Sequence, residues 1–184
     1  MTILKSKVTF ILRGNEMNWY VIFVNEDKIN DLIVYFNNQP GMSAFVPKIE
    51  KLMTREGKKV FLETVMFPNY LFIESELNEQ EFCMTVKEIE KDLGSTMKVL
   101  QSDTQTILAL TNDEKNLLES LLNEDHLIMH STGIIVDSKL IVQEGPLVGK
   151  EGLIKKINRH KRLAFLDNVF GNVMKVPLEV TSKS

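Results

Sequence analysis

Few residues in this chain have the capacity for chemistry, and their spacing decides its kind. Lys155, Lys156, Arg159, Lys161 and Arg162 place five fixed positive charges within eight residues, with His160 among them. Such a cluster neutralises phosphates, and its arginines can also stack on guanine or bond it bidentately. A compact basic tip suits a groove or a hairpin loop better than a long duplex track; for RNA, loop shape dominates recognition. A solvated turn is the plain alternative, but clustering on an otherwise acidic chain favours nucleic acid. His126 and His130 stand four apart, a metal-compatible spacing if the segment is helical, yet no third ligand accompanies them. Such a pair on a polar connector reads as coincidence. Cys83 reads as a small core or surface residue of a helix. Gly145 to Gly152 has glycines near Lys150, but it lies between strands and not at a helix N-terminus, which argues against phosphate cradling. No catalytic triad, metal set or cofactor motif emerges. The chain reads as a binding protein: not an enzyme, with no cofactor and no metal.

Composition agrees with that class. Hydrophobic residues make up 43% and charged residues 26% of the 184, as in soluble globular proteins of one or two domains. A single cysteine excludes a disulfide framework and fits a reducing, cytoplasmic compartment. The apolar run Val8 to Leu12, interrupted by Thr9, is too short for a membrane span or a signal-peptide core. Net charge −3 conceals an asymmetry: residues 145–184 hold eight Lys/Arg against three acids, +5, which leaves −8 on the remainder. A basic module on an acidic body points to a polyanion partner for the module alone.

The elements that must position these residues follow from periodicity. Residues 1–18 show no sustained period and read as a lead-in. Met17 is expected to be the natural start, with the first sixteen residues dispensable. Trp19 to Val24 is a buried strand. Ile29, Leu32, Ile33 and Phe36 recur at helical spacing over 27–38, and Pro40-Gly41 ends that helix. Ala44 to Met53 reads as a second strand and Thr54 to Lys59 as a hairpin tip, with Val60 to Met66 returning as a third strand. Asn78 to Lys91 is a second helix and Met97 to Gln101 a candidate strand. Thr111 and Glu114 have capping-box spacing ahead of a third helix through Leu122. This order is the α+β pattern of a ferredoxin-like split βαβ layer over 19–122, with helices on one sheet face and the other face or an edge free. Residues 123–133 read as a linker. From 134 to 184, short strand-like runs broken by Gly145-Pro146, Gly149, Gly152, Gly171 and Pro177 predict a small all-β barrel.

Within this frame, Phe67-Pro68-Asn69-Tyr70-Leu71-Phe72-Ile73 is the organising stretch. Pro68 fixes its own φ and biases Phe67 toward extended backbone, and Asn69 tolerates unusual angles. Two aromatics therefore flank a kink at the head of a core strand. The segment is either a kinked strand entry or a rigid aromatic corner for a partner.

Trp19-Tyr20-Val21, Val46-Pro47, Phe67 to Phe72, Val142 to Leu147 and Val169-Phe170-Gly171, in this order and spacing, resemble the NusG family of transcription elongation factors over nearly all of the chain after Met17. The resemblance implies a NusG-type N-terminal domain and a C-terminal KOW domain with an SH3-like barrel. It implies docking on the clamp helices of RNA polymerase through Phe67 and Tyr70, with Val65 extending the patch. Two departures point to specialised paralogues. Asn69 stands where general members carry Gly, and Lys150 where they tend to carry an aromatic used for the termination factor Rho and a ribosomal protein. Residues 145–151 with Lys155 to Arg162 are similar to the LoaP subgroup of antiterminators, whose KOW domain binds a hairpin in nascent RNA. The implied function is processive antitermination by a monomer. RNA would be held by Lys150, Lys155, Lys156, Arg159, His160, Lys161 and Arg162, and the non-template DNA strand is a further candidate partner. The rival readings are a ribosome-associated KOW adaptor and a general factor coupling transcription to translation.

Overall fold

The computed structural model describes residues 17–93 and 107–184. The lead-in up to residue 16 and the candidate strand Met97 to Gln101 lie outside the described residues. In chain order the elements are β1 (Asn18–Phe23), α1 (Ile29–Asn37), β2 (Met42–Phe45), β3 (Lys48–Arg55), β4 (Lys58–Val65), β5 (Tyr70–Ser75), α2 (Glu79–Leu93), β6 (Ile107–Ala109), α3 (Asn112–Glu119), β7 (Leu127–Ile128), β8 (Ser131–Val136), β9 (Lys139–Glu144), β10 (Lys156–Asn158), β11 (Leu163–Val169) and β12 (Asn172–Lys183).

A four-stranded antiparallel sheet, ordered β2-β5-β1-β6, forms the centre of the N-terminal half. The two-residue alternation of its strands sorts side chains onto two faces. Tyr20, Ile22, Leu71 and Ile73 form one core with Ile29, Leu32 and Phe36 of α1 and Phe82, Val86 and Ile89 of α2. Trp19, Val21, Phe45 and Phe72 point the other way, into a second core. That core contains Leu118 of α3, Leu121 in the turn that follows it, Ile128 of β7 and the interior of the C-terminal strands. The sheet face expected to be free is therefore covered.

The expected second strand is divided. Val46-Pro47 separates β2, an edge of the central sheet, from β3, which pairs with β4 and β7 in a sheet of its own ordered β4-β3-β7. Proline lacks an N–H for a ladder, so the chain leaves one sheet there and enters another. The β3–β4 hairpin turns at Glu56-Gly57, both at positive φ (51° and 77°), the twist a two-residue hairpin loop needs.

The stretch expected to be a linker, residues 123–133, contains β7, which runs parallel to β3 through Lys48↔Leu127 and Ile49↔Ile128. From β8 onward the chain forms a five-stranded sheet ordered β10-β11-β12-β8-β9, with β12 parallel to β8 and the other neighbours antiparallel. Among the short runs of this segment, Glu151–Leu153 forms a 3-10 turn in place of a strand. Leu147, Ala164, Leu166, Val169, Met174, Val176 and Leu178 fill the interior of this C-terminal unit. The chain is thus a mixture of few helices and several sheets.

The Thr111–Glu114 capping box is complete. The Glu114 N–H donates to Thr111 Oγ1 (3.3 Å) and the Thr111 N–H to Glu114 Oε2 (2.9 Å). Two orphan donors at the start of α3 are thereby satisfied.

Candidate functional site

The aromatic corner is a tight turn. Pro68 occupies its second position and Asn69 its third at φ 68°, while the Tyr70 N–H donates to the Phe67 carbonyl at 3.3 Å. Proline followed by a residue at positive φ is the signature of a type II turn, and asparagine enters that region more readily than other side-chain-bearing residues. The Asn69 carbonyl also accepts from the Val24 N–H at 2.8 Å, which ties the turn to the end of β1.

The turn holds Phe67 inward. Phe67 is only 5% exposed, Tyr70 is half-buried, and Val65 is 46% exposed. The Phe67 ring stacks against Phe72 at 5.8 Å and meets Phe170 edge-on at 4.8 Å. Phe170, in the turn between β11 and β12, also contacts Tyr70 (4.9 Å) and Phe72 (5.7 Å). Its backbone sits at φ 39° and its N–H donates to Glu114 Oε1 at 2.7 Å. Glu114 thus caps α3 with one carboxylate oxygen and anchors Phe170 with the other. Burial alone would raise the Glu114 carboxyl, but the backbone bonds from Thr111 and Phe170 and the Thr111 hydroxyl hold it below the usual carboxylate range. Beside this contact runs a cleft of about 450 Å³ lined by Phe67, Tyr70, Phe165, Val173 and Lys175.

The basic segment is a turn between β10 and β11, closed by the Arg162 N–H on the Arg159 carbonyl (3.3 Å) and by the Lys161 N–H on Asn158 Oδ1 (2.9 Å). Its cations do not share one fate. Lys156, Arg159, His160 and Lys161 are exposed and make no ion pair among the described residues. Lys155 pairs with Asp167 at 3.3 Å on the surface. Arg162, at φ 52°, turns toward Glu179, with Nε 3.3 Å from Oε1. Lys150 donates its ammonium to the Pro146 carbonyl at 2.9 Å.

Glu179 is a hub with no sequence signal. Lys59 of the β3–β4 hairpin donates to Oε1 at 3.0 Å, Arg162 reaches the same oxygen, and His130 Nε2 lies 3.7 Å from Oε2. Burial works to raise the Glu179 carboxyl, yet the Lys59 bond and the charges of Lys59, Arg162 and His130 hold it below the usual range. The His130 N–H donates to Glu50 Oε2 at 2.9 Å, but neither ring nitrogen has a hydrogen-bond partner among the described residues. Burial depresses the His130 pKa against the pull of Glu179 and Glu50. His126 stacks on Phe45 at 3.7 Å. The two histidines flank the extended β7, so they lack the shared helix face that a metal pair at this spacing needs. No group of three metal-binding side chains occurs among the described residues.

A family model described as "Transcription termination factor nusG" matches residues 17–121. The chain belongs to the NusG family. The match runs from the residue before β1 to the end of the α3 region and includes Val65, Phe67 and Tyr70; β7 to β12 lie beyond it. No curated protein matches the chain. Membership makes it a transcription factor, and factors of the NusG family bind RNA polymerase. No helix among the described residues is long and apolar enough to cross a membrane.

Sequence reasoning missed Phe170, Glu114 and Glu179 as site residues. Phe170 was visible only as part of a family motif and Glu114 only as a helix cap. Glu179 is one acid in a β-rich stretch, and nothing local announces its three partners.

Proposed function

We propose that this protein is a specialised elongation factor of the LoaP type, which suppresses pausing and termination after recruitment by RNA. Phe67 and Tyr70, with Val65 at the margin, grip the clamp helices of RNA polymerase, and the β8–β12 unit serves as the KOW domain. The turn between β10 and β11 holds a hairpin in the nascent transcript through Lys156, Arg159 and Lys161, assisted by His160 and Lys155. Arg162 and Lys150 serve the fold of this surface as much as the RNA. The observation that carries the reading is the NusG match across the domain bearing the Phe67–Tyr70 turn, together with exposed cations on the unit that follows that make no ion pair among the described residues.

The factor acts by binding alone. A grip that favours the elongating state of polymerase shifts its population away from the paused one. RNA held next to polymerase makes the second contact intramolecular, so modest separate affinities combine. Phe67 presents its ring to polymerase only when Phe170 withdraws from it, so docking on polymerase and separation of the two units are one event.

The test is single-round transcription through an intrinsic terminator, with purified polymerase and templates that encode or lack upstream RNA hairpins. Readthrough that requires a hairpin and disappears with Phe67→Ala is expected. Readthrough independent of every hairpin would replace this reading with a general elongation factor. Co-sedimentation with ribosomes and no effect on transcription would replace it with a ribosomal adaptor.

A further inference from the structure

Two basic hairpins about a hundred residues apart in sequence meet at one carboxylate. Lys59 Nζ is 3.0 Å and Arg162 Nε 3.3 Å from the same oxygen of Glu179. Lys59 sits next to the β3–β4 turn, and Arg162 closes the turn between β10 and β11. Both tips must therefore lie within side-chain reach of a single point. Glu179 is consumed in this contact, since its charge is offset by two cations.

Other cations at the two tips are left over. Arg55 and Lys58 are register partners that flank Glu56-Gly57; Arg159 and Lys161 flank His160. All four are exposed and make no ion pair among the described residues. Glu56 is the single acid within the two turns. The rest of the chain before residue 145 is net negative, so positive potential is concentrated where the tips converge.

The geometry points to one composite nucleic-acid surface, in which Arg55 and Lys58 of the N-terminal hairpin and Arg159 and Lys161 of the C-terminal turn contact the phosphates of the same RNA. This rests on reading the C-terminal turn as a nucleic-acid contact, and adds a second contributor from the other half of the chain. Glu179 joins the two contributors by holding Lys59 and Arg162. The surface belongs to the arrangement in which the two units are packed together and Phe170 covers Phe67, before polymerase draws them apart.

The test is binding of a fluorescent RNA hairpin to the full chain across a series of salt concentrations, followed by anisotropy. Arg55→Gln with Lys58→Gln, and separately Arg159→Gln with Lys161→Gln, remove exposed charges only, and circular dichroism checks that each variant folds. Each pair is expected to weaken binding several-fold. Each should also make the slope of log affinity against log salt shallower by about 1.5 to 2, because two phosphates are no longer neutralised. A DNA hairpin of the same sequence should show the same change in slope, because the contact is to phosphate; a change confined to RNA would overturn that assignment. An unchanged slope for the Arg55/Lys58 pair beside a reduced one for Arg159/Lys161 would overturn the composite surface and leave the C-terminal turn as the RNA contact. The reverse would also overturn it, and would remove the C-terminal turn from the RNA-binding reading. No change in either pair would defeat both.

Discussion

Phe170 lies edge-on against Phe67 with ring centroids 4.8 Å apart, so the C-terminal unit seals the aromatic that heads β5. Phe170 also touches Tyr70 and Phe72, and aromatic pairs contribute about 0.5 to 1.5 kcal/mol each beyond their buried area. Phe170→Ser should weaken the contact between the two units by about 2 kcal/mol and raise affinity for polymerase. Phe67→Ala should lower that affinity by about 2 kcal/mol or more if Phe67 is a hot spot. Titration of labelled variants with polymerase measures both. Unchanged affinity in Phe170→Ser would mean that the seal does not limit docking.

Glu114 serves two elements at once, which makes it more costly to remove than an ordinary cap. Thr111→Ala should cost about 1 kcal/mol, the usual loss of an N-cap. Glu114→Ala should cost about 2 to 3 kcal/mol, because the Phe170 N–H also loses its acceptor. Urea denaturation compares them; equal costs would show that the bond to Phe170 contributes nothing.

Acid should loosen the structure in two steps. Burial depresses the His130 pKa below its ordinary 6.5, so the folded state resists a proton that the unfolded state accepts. Stability is then full above that value and declines as pH falls from about 6.5 toward the depressed folded pKa. Glu50, Glu179 and Lys59 face this ring, and the two carboxylates soften the loss without reversing it. The depressed carboxyls of Glu114 and Glu179 add a second decline below their ordinary 4.5, as pH falls through their folded values. His126, also depressed by burial, contributes to the first step. Stability measured from pH 7.5 to 3.5 should show both declines, with the first reduced in His130→Leu. An unaltered first decline in that variant would assign it to His126.

Asn69 at φ 68° makes the corner sensitive to side-chain shape. Asn69→Val should cost about 1 to 2 kcal/mol, the price of a β-branched residue in left-handed backbone. Asn69→Gly should stay within about 1 kcal/mol of the parent, since relief of strain is offset by a freer unfolded chain. Thermal melts of the two variants check the order.

Gly145 and Gly149 both have positive φ, but their surroundings differ. A Cβ on Gly145 would stand 2.6 Å from the His130 carbonyl oxygen and the Ser131 Cα, while one on Gly149 meets nothing within 4 Å. Gly149→Ala should cost about 1 kcal/mol from backbone strain. Gly145→Ala adds an overpacking cost of about 1 to 3 kcal/mol. Comparable melting points for the two would contradict the close approach of β8 to this turn.

Local chemistry was legible without coordinates where neighbours in the chain decide it. The helical spacing of Ile29, Leu32 and Phe36, the Thr111–Glu114 box and the Pro68-Asn69 kink each act over four to eight residues, and each stands in the structure where the pattern placed it. The residue types in the basic turn could likewise be read directly, because a cluster of charge is a property of composition. The destinations of those groups were not. The apolar runs Trp19 to Val24 and Tyr70 to Ile73 read as buried strands, yet their composition could not say that Trp19, Val21 and Phe72 would enter one core and Tyr20, Ile22 and Ile73 another, or that Phe72 would meet Phe170, about a hundred residues onward. It could not separate Arg162, drawn inward by Glu179, from Arg159 three residues earlier. Nor could it anticipate that Val46-Pro47 passes the chain from one sheet to another, or that β7 pairs with β3. Side-chain alternation, capping and turn strain depend on bonded neighbours and are therefore written in order along the chain. Which surface covers Phe67, and which carboxylate holds Lys59 beside Arg162, depends on packing and charge compensation between segments far apart in sequence, and the tertiary structure alone decided them.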